Sequence, residues 1–117
     1  MQYVDGFVLA LPTANVERYR AIARTMGEIW REHGALAYVE CVADDVAVGE
    51  LTSFPRAVLR EDGETVVFAW IVYASREERD AVNKKVMDDP RVKAMDDPGL
   101  FDGKRMIYGG FSKIVDL

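Results

Sequence analysis

The sequence contains little cysteine and histidine, the residues that bind zinc and, for cysteine, form disulfides. Its 117 residues include one cysteine, Cys41, and one histidine, His33. A single cysteine cannot form an internal disulfide, which is typical of a reducing compartment, so we expect a cytoplasmic location. A zinc site needs more thiolate and imidazole ligands than these two side chains provide. We therefore predict no metal site and no cofactor.

The sequence also lacks the motifs of several enzyme and binding classes. It has no GxGxxG or GxxxxGK[ST] motif for nucleotide phosphates and no GxSxG motif for a nucleophilic serine. Asp5 and Gly6 interrupt the first apolar run, which excludes a signal peptide of the usual form, and no run is long enough to cross a membrane. The net charge of −5 opposes binding to nucleic acid or to an anionic membrane. We therefore expect neither as a partner.

The chain does contain enough apolar sequence for one folded domain, residues 1–117. Half of its residues are hydrophobic and 30% are charged, as in ordinary globular proteins. Alternating or continuous apolar runs predict strands, and apolar residues spaced three and four apart predict helices. The predicted strands are 3–11, 35–43, 65–73 and 104–115, and the predicted helices are 15–33 and 76–88.

Several residues predict where these elements begin and end. Thr13 or Asn15 can cap the first helix, and Gly34 suits the left-handed position after its last turn. Ser75 and Glu78 match a capping box at the second helix. The long connection 44–63 contains SFPRAVL, in which Pro55 fits the first turn of a short helix.

The element order predicts an α+β fold. An order of β-α-β-β-α-β with right-handed crossovers gives a ferredoxin-like antiparallel sheet. Two helices cover only one face of such a sheet, yet strands 3–11 and 65–73 are apolar on both faces. No further element is evident to cover the second face. We therefore predict that a second copy of the chain covers it, which makes a homodimeric α+β barrel.

Three titratable residues are candidates for acid–base catalysis. Asp5 and Glu40 fall within otherwise apolar strands, where a carboxylate must be solvated, be paired or have a shifted pKa. An ion pair at a strand edge or an interface is the structural alternative for both. His33 is the third candidate, and a position at the negative end of a helix dipole is its alternative. Cys41 is predicted to be a small buried residue rather than a nucleophile.

Four further residues are candidates for binding a ligand. Trp30 and Tyr108 combine an aromatic ring with a polar group and can line a pocket, although such residues also fill cores and interfaces. Arg56 lies in the SFPRAVL segment, and Arg105 comes just before the apolar part of the last strand. Either guanidinium can bind an acidic group of a ligand.

Several segments together resemble one bacterial family, the YbaA-like proteins of domain-of-unknown-function family 1428. The resemblance covers nearly the whole chain and rests on YVDGFV, WREHGALAYVECVADDV, TSFPRAV, ETVVFAWIVY, SREERDAVN and FDGKRMIYGGF. It implies a dimeric α+β barrel, a fold that small monooxygenases, some isomerases and haem-binding proteins also use. It supplies no reaction and no catalytic residue.

Three functional hypotheses follow. The first is a homodimer that binds or transforms a small, partly apolar, anionic molecule in a pocket between sheet and helices. The second is a structural or regulatory dimer without catalysis, in which the same space is filled. RNA binding ranks last because the net charge opposes it. A haem-dependent variant of the first hypothesis would need His33 as the iron ligand and has only the analogy of fold behind it.

Overall fold

A computed structural model describes residues 1–117 as a four-stranded antiparallel sheet with four helices. The strands lie in the order β2-β3-β1-β4, and each pairs antiparallel with its neighbours. The strands are β1 (Tyr3–Pro12), β2 (Ala37–Val42), β3 (Glu64–Tyr73) and β4 (Ile107–Ser112). The helices are α1 (Val16–Glu32), α2 (Phe54–Ala57), α3 (Arg76–Asp88) and α4 (Pro90–Ala94). None of the four has both the length and the apolar composition that crossing a bilayer requires.

The predicted elements are present, but some of their boundaries differ. The last strand is only six residues long, because Lys104 and Arg105 belong to a 3₁₀ turn that Asp102 caps. Asn15 does not cap α1 through its side chain; its amide instead donates to the carbonyl oxygen of Leu100 at 2.9 Å. The predicted cap of α3 is confirmed, since Ser75 accepts a hydrogen bond from the backbone N–H of Glu78 at 3.0 Å.

The helices α1 and α3 cover the same face of the sheet. The odd-numbered residues of β1 and β3 face them, as the pairing of Phe7 with Ala69 and the two core clusters on this face indicate. On the α3 side, Val82 and Val86 are fully buried against Tyr73. On the α1 side, the core is formed by Leu9, Leu11 and Val67, with Val16 and Tyr19 packed against it.

One glycine sets the distance between α1 and the sheet. A Cβ atom at Gly27 would lie 2.6 Å from Cδ1 of Tyr38 on β2, well inside van der Waals contact. The helix therefore rests directly on the Tyr38 ring, and no larger residue at position 27 permits this approach.

The opposite face of the sheet is covered at one end only. Val58, which follows α2, is fully buried and packs against Val8, Ala10 and Val66. The expectation that no element of the chain covers this face was therefore wrong for that end. The remainder is open and apolar, and Phe68 and Phe111 are 43% and 63% exposed on it. We call this exposed area the open face; its members are Val4, Gly6, Ala37, Val39, Cys41, Phe68, Trp70, Val72, Ile107, Gly109 and Phe111.

Arg105 joins the end of the connection 44–63 to the 3₁₀ turn before β4. Its guanidinium forms two parallel hydrogen bonds with the Glu64 carboxylate, at 2.8 and 2.7 Å, and also donates to the carbonyl oxygen of Leu59. These hydrogen bonds hold the pKa of Glu64 below its ordinary value. The charged form of Glu64 therefore stabilises the folded chain.

We predict that replacing Glu64 by Gln changes how stability depends on pH. A carboxyl with a lowered folded-state pKa contributes stability above its unfolded pKa, and this contribution is lost as pH falls through the folded pKa. The Glu64→Gln variant should therefore be less stable than wild type at pH 7, and the two free energies of unfolding should converge towards pH 3. Urea titrations at several pH values measure this. A difference that stays constant with pH would contradict the role of this charge.

The contact of Gly27 with Tyr38 gives a second prediction. Alanine in place of glycine usually stabilises a helix interior by up to about 1 kcal/mol. Here we expect Gly27→Ala to destabilise the fold by about 1–3 kcal/mol, because the new methyl group overpacks against the Tyr38 ring. Thermal and urea unfolding measure the difference. Thr25→Ala, on the exposed side of the same helix, is the matched control and should not destabilise. A stabilised Gly27→Ala variant would show that the contact is not tight.

Candidate functional site

A cavity of about 560 Å³ lies between α1, the sheet and the segment 92–101. Eighteen of its 21 lining residues are hydrophobic. Its floor is formed by β1, β2 and β3, and its mouth is marked by the exposed residues Ala94 and Asp96. The aromatic residues of its lining on the helix side of the sheet are Phe7, Tyr19, Trp30, Tyr38 and Phe101. A cavity of this size and lining is typical of sites for small organic molecules.

Glu40 is a charged side chain within this apolar surface. The Tyr38 hydroxyl donates to its Oε2 at 2.8 Å, and the Tyr19 hydroxyl donates to its Oε1. Burial, reinforced by the negative charge of Glu40, raises the pKa of both tyrosines. Both phenols therefore stay protonated and act as hydrogen-bond donors to the carboxylate.

Trp30 forms another wall of the cavity, and its ring is held by hydrogen bonds. Its Nε1 donates to the Tyr73 hydroxyl at 3.1 Å, and this hydroxyl is also within 3.2 Å of Oδ1 of Asn83. The Trp30 and Tyr38 rings lie 6.1 Å apart and tilted by 39°. The pKa of Tyr73 is raised by burial and by the nearby Asp5 charge. The polar side chains of Tyr73 on β3 and Asn83 on α3 therefore fix the orientation of the indole ring.

Asp5 lies outside the cavity, in a buried ion pair. It is 6% exposed, and its Oδ1 accepts a hydrogen bond from Arg79 of α3 at 2.6 Å. The same guanidinium lies 4.9 Å from the centre of the Tyr3 ring. The sequence did not point to Arg79 as the partner of Asp5, because residues 74 positions apart give no local signal of their contact.

His33 also lies away from the cavity, at the end of α1. Its Nε2 is 2.8 Å from Oδ2 of Asp89, the residue that caps α4. Hydrogen bonds from Arg91, and next from His33, hold the pKa of Asp89 well below its usual range. The ligand atoms of Glu32, His33 and Asp89 lie within 4.8 Å of one another, as in a metal site. However, Arg91 already binds both carboxylates, so each of them has a guanidinium as its partner.

The predicted anion-binding arginines do not line the cavity. Arg56 donates to the backbone carbonyl oxygens of Val48 and Gly49, which fixes the connection before α2. Arg105 is engaged by Glu64, as described above. Both guanidiniums therefore serve contacts within the chain, and the cavity lining contains no arginine.

Tyr108 does not line the cavity, and Cys41 does not lie in the core. Tyr108 is 71% exposed on β4 and stacks on Phe7, with the ring centres 6.2 Å apart. The prediction that Cys41 is buried was wrong: it is exposed, because it lies on β2 at the sheet edge and faces the open side. Alternation within the strand placed Cys41 on one face but gave no information about whether that face is covered.

Three residues of the site were not identified from the sequence. Tyr19 falls on the apolar stripe of α1, and Asp96 and Asp97 fall in a segment that mixes acidic and basic residues. Asp97 lies at the cavity and pairs with Arg18 of α1 at 2.7 Å. Tyrosine at the helical spacing of a core stripe gives no sign that its hydroxyl meets a carboxylate on a strand.

Comparison with known proteins gives a consistent family assignment. The chain is 52% identical over 116 residues to the "Uncharacterized protein YbaA" of Escherichia coli strain K12, and 99% of each chain is covered. The proteins of the same name from Escherichia coli O157:H7 and Shigella flexneri match to the same extent. The family model described as "Protein of unknown function (DUF1428)" matches residues 2–103. The whole-chain matches cover both the cavity and the open face, the family model matches the chain up to the turn before β4, and the chain therefore belongs to the DUF1428 family.

Proposed function

We propose that the protein binds a small, largely apolar molecule in the cavity between α1 and the sheet. The observation that carries this proposal is a space of about 560 Å³ with 18 hydrophobic residues in its lining. Ligand sites typically measure about 300–1,000 Å³ and combine apolar walls with a few polar groups. Here Glu40, with its two tyrosine donors, is a polar group within the apolar lining. A dimer with a purely structural role does not require a cavity of this size between helix and sheet.

Glu40 is the residue that we propose as the functional group of the site. It lines the cavity, whereas Asp5 and His33 are paired with Arg79 and Asp89 elsewhere. A carboxylate in an apolar space can orient a ligand or accept a proton from it. Trp30 and Tyr38 provide the adjoining aromatic walls. Binding is supported directly by this arrangement, and turnover would need a second group that reaches the same ligand.

We also propose that two chains pair through the open face as a dimeric α+β barrel. The strand order and the two helices on one face support the ferredoxin-like arrangement expected from the sequence. The open face carries no ionisable side chain other than Cys41. In a two-fold contact the open face of one chain packs against the open face of the other, so any charge on it would lie close to the same charge of the second chain. Because the open face has no such charge, two chains can pair there although each has a net charge of −5.

A second copy would cover the open face together with the connection beside it. Strands about 4.8 Å apart and about 3.3 Å per residue, with about five uncovered residues on each of the four strands, give an area of about 300 Å². The connection before β3 extends this surface, since Phe54 contacts Phe68 and Leu51 is 91% exposed. A stable interface buries about 800 Å² on each partner. The open face supplies part of that area, and the exposed connection would have to supply the rest of the contact.

Native mass spectrometry of protein purified without added ligand tests both proposals. We expect a mass of two chains of 13.2 kDa each, with a reproducible small adduct.

A dye titration tests the cavity by itself. Ala23→Met should weaken binding of the neutral dye Nile red about tenfold, because Ala23 is buried at the cavity wall and the longer side chain enters the space. Ala21→Met, on the exposed side of α1, is the matched control. If the wild-type protein, Ala23→Met and Ala21→Met bind the dye equally tightly, the cavity is not the binding site.

The dimer is tested by a charge on the open face. Phe68→Lys should convert the two-chain species into single chains, because a contact through this face would bury an unpaired ammonium in each copy. Size-exclusion chromatography with light scattering measures the mass. Met87→Lys introduces the same charge at a residue on α3 that is 53% exposed, and it should leave the mass unchanged. Wild-type protein that elutes as a single chain at micromolar concentrations would rule out this assembly.

A further inference from the structure

The charges that line the cavity are all negative. The three residues of the lining that are not hydrophobic are Glu40, Asp96 and Asp97, and none of the 21 is lysine, arginine or histidine. Asp97 is neutralised by Arg18 at the mouth. Glu40, farther in, has no cationic nitrogen within 4.0 Å, and neighbouring Arg20 is instead paired with Glu17 at 3.1 Å. The inner carboxylate therefore lacks a counter-ion.

The two tyrosines satisfy Glu40 only in part. A carboxylate can accept about four hydrogen bonds, and the hydroxyls of Tyr19 and Tyr38 provide two. Both phenols are neutral, so they spread the negative charge without cancelling it. A charge in apolar surroundings is costly unless an opposite charge pairs with it. A ligand that carries a positive charge would provide that pairing.

The aromatic walls favour the same sign of charge. The faces of tryptophan, tyrosine and phenylalanine rings attract cations through their quadrupole. Trp30 and Tyr38 lie on one side of the space, and Tyr19 and Phe101, with ring centres 6.0 Å apart, lie on another. An ammonium group beside Glu40 would meet these rings, whereas an anion would face the unpaired carboxylates of Glu40 and Asp96 and no basic group of the lining.

We propose that the ligand of this cavity is a hydrophobic cation, an amine or alkylated ammonium on an apolar body. The inference rests on the proposed function and names the ligand class for the same site. The ammonium donates to Glu40, and the apolar body occupies the space towards Met26, Trp30 and Ile71. This ligand has the opposite charge to the anionic molecule expected from Arg56 and Arg105, neither of which lines the cavity.

Three ligands with one skeleton test the charge directly. Phenylbutylamine, phenylbutanol and phenylbutyrate share a phenylbutyl body and are cationic, neutral and anionic at pH 7. In isothermal titration calorimetry of the wild-type protein, we expect the amine to bind about tenfold or more tightly than the alcohol, and the carboxylate to bind most weakly. Equal binding of amine and alcohol, or tighter binding of the carboxylate, would overturn the inference. This ranking needs no variant to fold.

Replacing Glu40 by Gln then identifies the group responsible. Glutamine can accept from one tyrosine hydroxyl through its oxygen and donate to the other through its amide N–H, but it carries no charge. The amine should therefore bind Glu40→Gln only about as tightly as the alcohol. Glu28→Gln removes one negative charge from the exposed side of α1 and should keep the preference. A preference that survives Glu40→Gln would overturn the role of Glu40. If none of the three ligands binds and Ala23→Met leaves Nile red binding unchanged, the proposed function itself has failed.

Discussion

The structure depends on a pair of central strands, β1 and β3, whose side chains are apolar on both faces. This constraint requires two covers, and the chain supplies them unequally. On one face, α1 and α3 bury Leu11, Val67 and Tyr73 almost completely. On the other, Val58 covers one end of the sheet and leaves the rest exposed. The cavity lies on the first face and the proposed dimer contact on the second, so the two can be altered independently.

Tyr38 links the packing of the helix to the chemistry of the site. One side of its ring contacts α1 at Gly27, and its hydroxyl donates to Glu40 at 2.8 Å. The carboxylate position is therefore set by the same contact that sets the separation of helix and sheet. A site built in this way on regular elements is more rigid than one built on loops. The segment 92–101 at the mouth and Met106 are the parts of the lining that belong to short or irregular elements.

Much of the fold was predictable because local sequence patterns specify its helices and strands. Helical spacing identified α1 and α3, the Ser75 cap fixed where α3 begins, and apolar runs located three of the four strands closely. The start of β4 was misplaced because it is set by the Asp102 turn rather than by hydropathy. Cys41 was misplaced because burial depends on whether a face is covered, and periodicity carries no information about that.

The site was predictable only as a set of residue types. A carboxylate in an apolar strand is conspicuous in the sequence, and this reasoning selected both Asp5 and Glu40. What distinguishes them is the partner on a distant helix, an arginine for Asp5 and a tyrosine for Glu40. The first partner cancels the charge within the core, and the second leaves it available in a cavity. The identity of one contact, separated by 74 residues in one case and 21 in the other, thus decides which carboxylate is structural and which can meet a ligand.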